Sequence, residues 1–269
     1  MLQSRFRFII DDARDSYLNM GIDEALLASC ERNEGLFPSI RFYRWEIPTL
    51  SFGYNQRYSS AVDEVYCRES GINIVRRPTG GRAVLHDVEV TYSVVGRTDD
   101  PRLGNSVLAT YRLISLALAR GFARLGIKAE LVAPHKASPA ARGSIGASPC
   151  FFSPSRYELV VSGKKVVGSA QKRGRGAFLQ HGSIPLEIDI QKLLATTGHS
   201  SLPSGYSLTS VNEAAGRDVS PEELVSSLSA GFANVFQAEL ISERLTEKEY
   251  EDAKLLREKY QSDSWNKRV

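Results

Sequence analysis

The chain holds few of the residues from which disulfide or metal frameworks are built: three cysteines and four histidines among 269 residues. Cys30, Cys67 and Cys150 lie far apart with no C-x-x-C pair, which argues against a disulfide scaffold or a zinc site. No two of His86, His135, His181 and His199 have the close spacing of metal ligands, so no metal is expected. No stretch approaches the roughly 18–20 apolar residues of a membrane helix. The opening M-L-Q-S-R-F-R-F-I-I-D-D has too short an apolar run for a signal peptide. A strong charge bias is missing as well. Lys and Arg number 34 against 31 Asp and Glu, and the net charge of +3 is too mild for a nucleic-acid face. It suits docking of acidic protein partners. The expectation is a soluble cytoplasmic protein with neither nucleic-acid nor membrane business.

What remains is ordinary globular composition, 42% hydrophobic and 24% charged. There are no internal repeats and no clear linker, so one domain spanning 1–269 is expected. Within it, 33–240 reads as a core and 241–269 as a helical C-terminal extension. Arg5 to Ile10 reads as a strand, followed by an amphipathic helix from Ser16 toward Cys30. S-I-R-F-Y-R-W and T-L-S-F-G-Y, separated by Pro48, read as half-buried strands of a hairpin. One helix from Ser59 or Ser60 to Gly71 carries Cys67, and strands follow at Ile72–Val75, Ala83–His86 and Val88–Val95. Leu108–Leu125 is a long helix ended by Gly126. Strands are then expected at Tyr157–Val161, Lys165–Val167 and Phe178–Pro185, with Ser162-Gly163 as a tight turn. Ser220 and Thr246, each with Glu three residues on, open two capped helices. The fold class is α+β: a mixed, mainly antiparallel sheet flanked by helices.

Two segments carry chemistry. Cys150 leaves a seventeen-residue stretch of mostly small, loop-forming residues, Ala133 to Pro149, and precedes Lys165 by fifteen positions. A thiol at a loop exit is a nucleophile when a neighbouring cation lowers its pKa. Lys165 is one candidate activator; His86 and His181 are rivals in a protease-like dyad. Cys30 and Cys67 fall on helices, where a free cysteine behaves as a small buried hydrophobe. The second segment is R-R-P-T-G-G-R-A-V-L-H-D, Arg76 to Asp87. Its paired glycines between basic residues can bring backbone N–H groups to an oxyanion or phosphate. It is neither a Walker loop nor a dinucleotide fingerprint.

Several segments in order resemble the biotin/lipoate protein ligase and octanoyltransferase superfamily over most of the chain. They are N-M-G-I-D-E-A-L-L at Asn19–Leu27, R-F-Y-R-W with P-T-L-S-F-G-Y-N-Q, R-R-P-T-G-G-R-A-V-L-H-D, E-V-T-Y-S-V, G-K-K-V-V-G-S-A-Q-K-R and the closing D-S-W-N. Within the superfamily the chain is most similar to the LipM-type octanoyltransferases. That resemblance implies their catalytic-domain fold and a ping-pong reaction without a cofactor. Octanoyl passes from acyl carrier protein to a cysteine, then to a lysine of the glycine cleavage H protein or another lipoyl-domain protein. The cysteine of the pattern falls on Cys150 and the lysine that lowers its pKa on Lys165. Arg77, Gly80, Gly81, Arg82, His86, Gly168, Ser169 and Ala170 fall on substrate-binding positions, and a monomer is expected. The competing expectation is an ATP-dependent lipoate–protein ligase using Lys165 to hold an acyl adenylate. Ligases more commonly carry a third glycine where Arg82 stands. The amidotransferase branch, with N-S-G-G in this segment, fits less well.

Overall fold

The computed structural model describes residues 4–34, 38–132, 158–202 and 207–268. Along the chain, strand β1 (Ser4–Arg14) leads into helix α1 (Ser16–Glu31), then β2 (Ser39–Trp45), β3 (Thr49–Phe52) and the short helices α2 (Tyr58–Ala61) and α3 (Glu64–Glu69). Strands β4 (Asn73–Arg76), β5 (Val84–His86) and β6 (Glu89–Arg97) precede the long helix α4 (Val107–Arg124) and β7 (Glu130–Val132). Strands β8 (Glu158–Val161), β9 (Lys164–Lys165), β10 (Gly168–Arg173) and β11 (Ala177–Pro185) follow. The remainder is α5 (Ile190–Thr196), α6 (Val211–Ala215), α7 (Pro221–Phe236), β12 (Ala238–Ser242), α8 (Glu247–Gln261) and α9 (Asp263–Asn266).

The main sheet runs β10-β11-β6-β2-β1-β12, with two smaller three-stranded sheets, β4-β3-β5 and β7-β8-β9. Pairing is antiparallel from β10 to β2 and parallel from β2 through β1 to β12, so the sheet is mixed as expected. Because side chains alternate across a strand, the two faces can be read from the sequence of each central strand. On one face Ile40, Phe42, Val90, Tyr92, Val94 and Ile184 join Ile114, Leu118 and Phe122 of α4 and Leu228 and Phe232 of α7 in a continuous apolar core. A fully buried side chain of this size contributes about 1.5–3 kcal/mol, so this layer dominates the stability.

The opposite face is split. Ile9, Val95 and Leu179 pack under Leu18, Ile22 and Leu26 of α1. Arg41, Tyr43, Glu89, Thr91, Ser93, His181 and Ser183 are buried on the same face without making it apolar. Helix α8, the charged C-terminal helix, buries Ala253 and Tyr260 and is otherwise tied to the body by ion pairs. Arg7 meets Glu249 at 2.7 Å with both side chains buried, and Lys259 meets Glu24 at 2.5 Å. Strand β1, outside the 33–240 span, lies between β2 and β12 in the main sheet.

Three expectations fail locally. The segments 39–45 and 49–52 are not a hairpin: β2 is an interior strand of the main sheet, while β3 crosses to the small sheet and pairs with β4 and β5. The polar residues of S-I-R-F-Y-R-W suggested a solvent face, yet only Arg44 of the strand is exposed, because Arg41 is neutralised inside. The single helix through Cys67 is two, broken at Val62-Asp63, where the Asp63 side chain caps α3 by accepting from Tyr66 N–H at 2.9 Å. Strand β10 was not anticipated; its G-S-A-Q-K-R sequence has no β-branched residue and only Gly168 is fully buried. The Ser162-Gly163 turn does form, with φ of 50° and 77°, the left-handed pair that a two-residue hairpin requires.

Candidate active site

The polar half of the sheet face and the small β4-β3-β5 sheet flank a narrow pocket that is partly open to solvent, with a cavity volume of about 20 Å³. Tyr43 and Trp45 of β2, Thr91 of β6 and His181, Gly182 and Ser183 of β11 form its floor. Ser51, Arg77, Val84 and His86 come from the small sheet, and Met20 from α1. Gly168, Ser169 and Ala170 supply the edge, where β10 lies against β11 with Gly168 opposite Ser183 and Ala170 opposite His181.

Two histidines stand in this wall, each between a buried carboxylate and a hydroxyl. His86 Nδ1 lies 2.8 Å from Glu89 Oε1, and its Nε2 lies 2.7 Å from Ser51 Oγ. His181 Nδ1 lies 2.9 Å from Asp23 Oδ2, and its Nε2 lies 2.7 Å from Thr79 Oγ1. An ionised carboxylate only accepts, so both rings carry a proton on Nδ1, and the neutral His181 ring accepts a hydroxyl proton from Thr79 at Nε2. Both Nε2 atoms are thereby engaged, which disfavours either ring as a ready partner for a thiol. His86 also stacks on Trp45, with ring centroids 4.2 Å apart.

The carboxylates are held charged by their surroundings. Burial alone would push Glu89 up, but neighbouring His86 and the hydrogen bonds from His86, Ser183 and Thr91 keep it below the ordinary value. Burial likewise opposes ionisation of Asp23, and it is overcome by the His181 hydrogen bond and the charge of Arg41, leaving Asp23 lowered. Arg41 donates to Asp23 at 3.0 Å and to Asp11 at 2.9 Å, and Tyr43 Oη donates to Asp23 at 3.0 Å. Burial is the largest influence on His181 and lowers its pKa. The result is a hydrogen-bonded polar wall around a slot whose exposed surface is mainly carbon.

The glycine turn is built differently from expectation. Arg77 donates to the carbonyls of Ser51 (3.1 Å), Gly80 (2.8 Å) and Arg82 (2.7 Å). The turn thus folds its carbonyls onto its own arginine. Arg77 and His86 line the cavity; Gly80, Gly81 and Arg82 do not. Arg76, the other half of the basic pair, is consumed structurally by carbonyls of residues 54, 56, 265, 266 and 268. The turn sits hard against the end of β3, where a Cβ on Gly53 would lie 1.9 Å from the Gly81 carbonyl oxygen. Gly53→Ala is therefore expected to lower the melting temperature by roughly 5 °C or more, measured by thermal unfolding.

Lys165 lies three residues before the cavity edge. Strand lysines usually reach solvent; this one is 5% exposed, with Nζ 2.8 Å from Glu158 Oε1. Its main chain is fixed by Ser207 and Thr209, through bonds of 2.9 and 3.0 Å. Lys164, by contrast, faces outward and pairs with Glu213. Cys150 and His135 lie outside the described residues. Cys30 and Cys67 are silenced mainly by burial, which pushes their thiols up to about 11 and about 12. His199 bonds the Thr197 carbonyl and does not line the cavity. Among the described residues no group of His, Cys, Asp and Glu could hold a metal ion, and no helix is long and apolar enough to cross a membrane.

The pattern of the lipoyl protein ligase A/B catalytic domain matches residues 15–233, taking in α1, the polar sheet face, the small sheet and Lys165. The chain belongs to that family. Within this family it is 40% identical to the octanoyltransferase LipM of Brevibacillus brevis over 98% of this chain and 99% of the relative. It is 43% identical to the octanoyltransferase LipM of Kyrpidia tusciae over 93% and 94% of the two chains. A T. acidophilum protein solved with bound lipoic acid superposes with a TM-score of 0.79 at 25% identity, covering 99% of this chain and 100% of that one.

The family resemblance read from the motifs thus holds, as does the α+β class. The sequence reading missed Asp23, Glu89 and Glu158. Its available signal was polar residues at alternate positions of strands with no solvent face: Glu89, Thr91 and Ser93 between Val90, Tyr92 and Val94.

Proposed function

We propose that the protein is an octanoyl-[acyl-carrier-protein]:protein N-octanoyltransferase of lipoate biosynthesis. The Cys150 thiolate attacks the thioester of octanoyl-acyl carrier protein and releases the carrier thiol. A lysine amine of the glycine cleavage H protein or an E2 lipoyl domain then attacks the acyl-enzyme, forming the amide and freeing the cysteine. Exchanging one thioester for another is nearly isoenergetic and the amide lies downhill, so the sequence of steps needs no nucleotide. The observation that carries this reading is the carbon-lined slot ending at Gly168–Ala170, three residues from a buried ammonium. A mainly carbon surface suits contact with an alkyl chain, and a buried cation suits a nearby thiolate.

Lys165 is assigned to lower the pKa of Cys150 by Coulomb attraction. Arg77, His86, Gly168, Ser169 and Ala170 are assigned to the acyl substrate, with Gly80, Gly81 and Arg82 on the carrier or acceptor side. Backbone N–H groups of the Gly168 stretch are assigned to stabilise the tetrahedral oxyanion. The same reading makes the protein a cytoplasmic enzyme that works as a monomer.

Intact mass after incubation with octanoyl-acyl carrier protein and no ATP tests it. An octanoyl adduct that is absent in Cys150→Ala is the expected result. Acceptor modification that appears only with ATP and free octanoic acid, with no enzyme adduct, would make the protein an ATP-dependent ligase instead.

A further inference from the structure

Helix α4 turns to solvent a basic face that no carboxylate of the chain neutralises. Its other side, with Ile114, Leu118 and Phe122, is buried in the main core. The outer side carries Leu108, Arg112, Leu116, Arg120 and Arg124 at four-residue intervals, all exposed, and exposed Lys128 follows the helix. Residues 107–128 hold four basic and no acidic residues, which alone exceeds the net charge of +3 on the whole chain. Every Asp and Glu of the chain lies among the described residues, and none of them pairs with any of these four cations. Surface arginines elsewhere are met: Arg32 by Asp252, Arg97 by Asp99, Arg102 by Asp100 and Arg217 by Glu223. The carbonyl end of the helix accounts for Arg124, but that influence falls off within the last turn and leaves out Arg112 and Arg120. Arg120 and Arg124 also repel one another across one turn. A field of this kind acts on a partner and contributes nothing to the fold.

We propose that this face of α4 is the docking surface for the acyl donor, an acidic carrier protein that lays carboxylates against Arg112 and Arg120 and an apolar side chain against Leu116. The proposal rests on the reading above that a carrier protein is the donor. Leu116 is 37% exposed between the two arginines, which gives the face the apolar centre and charged rim of a protein interface. From Arg112 to Arg124 it runs about 18 Å along the axis, room for three turns of a partner helix. The face is also joined to the pocket. On the inner side of α4, Tyr111 Oη donates to the carbonyl of Ser169, and Arg173 of β10 donates to Thr110 Oγ1 at 2.8 Å. Ser169 lines the pocket. A body docked on the outer side therefore stands one helix diameter, about 10 Å, from that edge. A donor holding its acyl group on an extended thioester arm bridges this distance. An acceptor lysine, with only its own side chain to reach in, has to bring its domain closer.

Titration of the full chain with fluorescently labelled acyl carrier protein tests the surface apart from the chemistry. Arg112→Glu with Arg120→Glu should weaken binding roughly tenfold or more and flatten its dependence on salt. Arg57→Glu with Arg68→Glu makes the same change in net charge at exposed positions beside the small sheet, and should leave binding within about twofold of wild type. In octanoyl transfer the α4 variant should show a KM for the carrier-bound donor raised by a similar factor with kcat kept. It should use octanoyl-N-acetylcysteamine, an uncharged thioester with no protein body, at the wild-type rate. Equal weakening by the two double variants would mean net charge alone and overturns the proposal. So would unchanged carrier binding, a raised KM for the acceptor protein alone, or a single-stranded RNA oligomer that binds this face more tightly than the carrier. If the wild type binds the carrier here yet takes octanoyl from neither donor, the transferase reading fails and the docking surface stands. Should the charge reversals unfold the chain, Arg112→Gln with Arg120→Gln makes the same test, with about a threefold loss expected.

Discussion

Asp23→Ala is expected to destabilise the fold by about 3–5 kcal/mol, a fall of roughly 10 °C in melting temperature for a chain of this size. Asp23 is fully buried in α1 and receives Arg41 Nη1, Tyr43 Oη and His181 Nδ1, all within 3.0 Å. Alanine leaves the buried Arg41 guanidinium with Asp11 as its remaining carboxylate, and leaves the Tyr43 hydroxyl and His181 ring without their acceptor. Tyr43 and His181 line the cavity, so octanoyl transfer should fall even below the melting temperature. Asp23→Asn keeps the shape but presents an amide to one of three donors, and should fall between wild type and alanine. A wild-type melting curve for Asp23→Ala would show that the network is not what holds α1 on the sheet.

The same residues fix the direction of pH dependence. His181 has a lowered pKa in the fold, so below the ordinary histidine value near 6.5 the unfolded chain binds a proton that the folded chain refuses. Asp23 and Glu89 are also lowered, so below about pH 4 the unfolded chain again binds more protons. Stability rises with pH wherever the unfolded state holds more protons. Both effects therefore weaken the protein as pH falls, the histidine first, with a slope of up to about 1.4 kcal/mol per pH unit for one proton. His181→Gln should remove the part that begins near pH 6.5 in urea titrations, weaken the Asp23 share of the acid part and leave the Glu89 share in place.

Much of the fold was legible because its signals are local. Ser162-Gly163 announced its hairpin, and the helix ending at Gly126 showed its apolar spacing. Thr246 with Glu249 forms a complete capping box. Ser220 accepts from Glu223 N–H as expected, but the Glu223 side chain turns to Arg217 instead of closing the box. What misled the reading was long-range compensation. Arg41 made β2 look half-exposed, and only Asp11 and Asp23, 30 and 18 residues away in sequence, make its burial tolerable. Motif resemblance singled out Arg77, His86 and Gly168–Ala170, which line the pocket, and Lys165, which lies three residues before it in the chain. The sequence showed no local sign of Asp23, and of Glu89 only its alternation with apolar neighbours; their role exists only once α1, β2, β6 and β11 are brought to one face. Nothing local in Y-E-L-V-V marks Glu158 as a partner for Lys165; only the hairpin register does.

Removing residues 263–269 is expected to cost about half the stability of the protein and to loosen the glycine turn, because of Arg76. Its guanidinium is completely buried and meets no carboxylate among the described residues; it donates to main-chain carbonyls alone. Three of these, on Trp265, Asn266 and Arg268, come from the C-terminal segment at 2.7–3.2 Å. The backbone of Arg76 is clasped as well, its N–H by Asn266 Oδ1 at 2.7 Å and its carbonyl by Trp265 Nε1 at 2.8 Å. Burial and, after it, the nearby Arg268 already depress Arg76 to about 10. Hydrogen bonds to a charged group contribute about 1.5–3 kcal/mol each, so losing the equivalent of two of them removes about 3–6 kcal/mol from a total that is typically about 5–15. The truncated chain should melt well below wild type, and Arg77, next along the chain, should hold the turn less firmly, raising KM for the acyl donor more than it lowers kcat. The compensating change is Arg76→Met in the truncated chain. Removing both partners of a buried polar contact is far milder than removing one, so the double variant should recover part of the lost melting temperature. If Arg76→Met lowers stability as much in the truncated chain as in the full one, the C-terminal carbonyls are not what sustains the buried guanidinium.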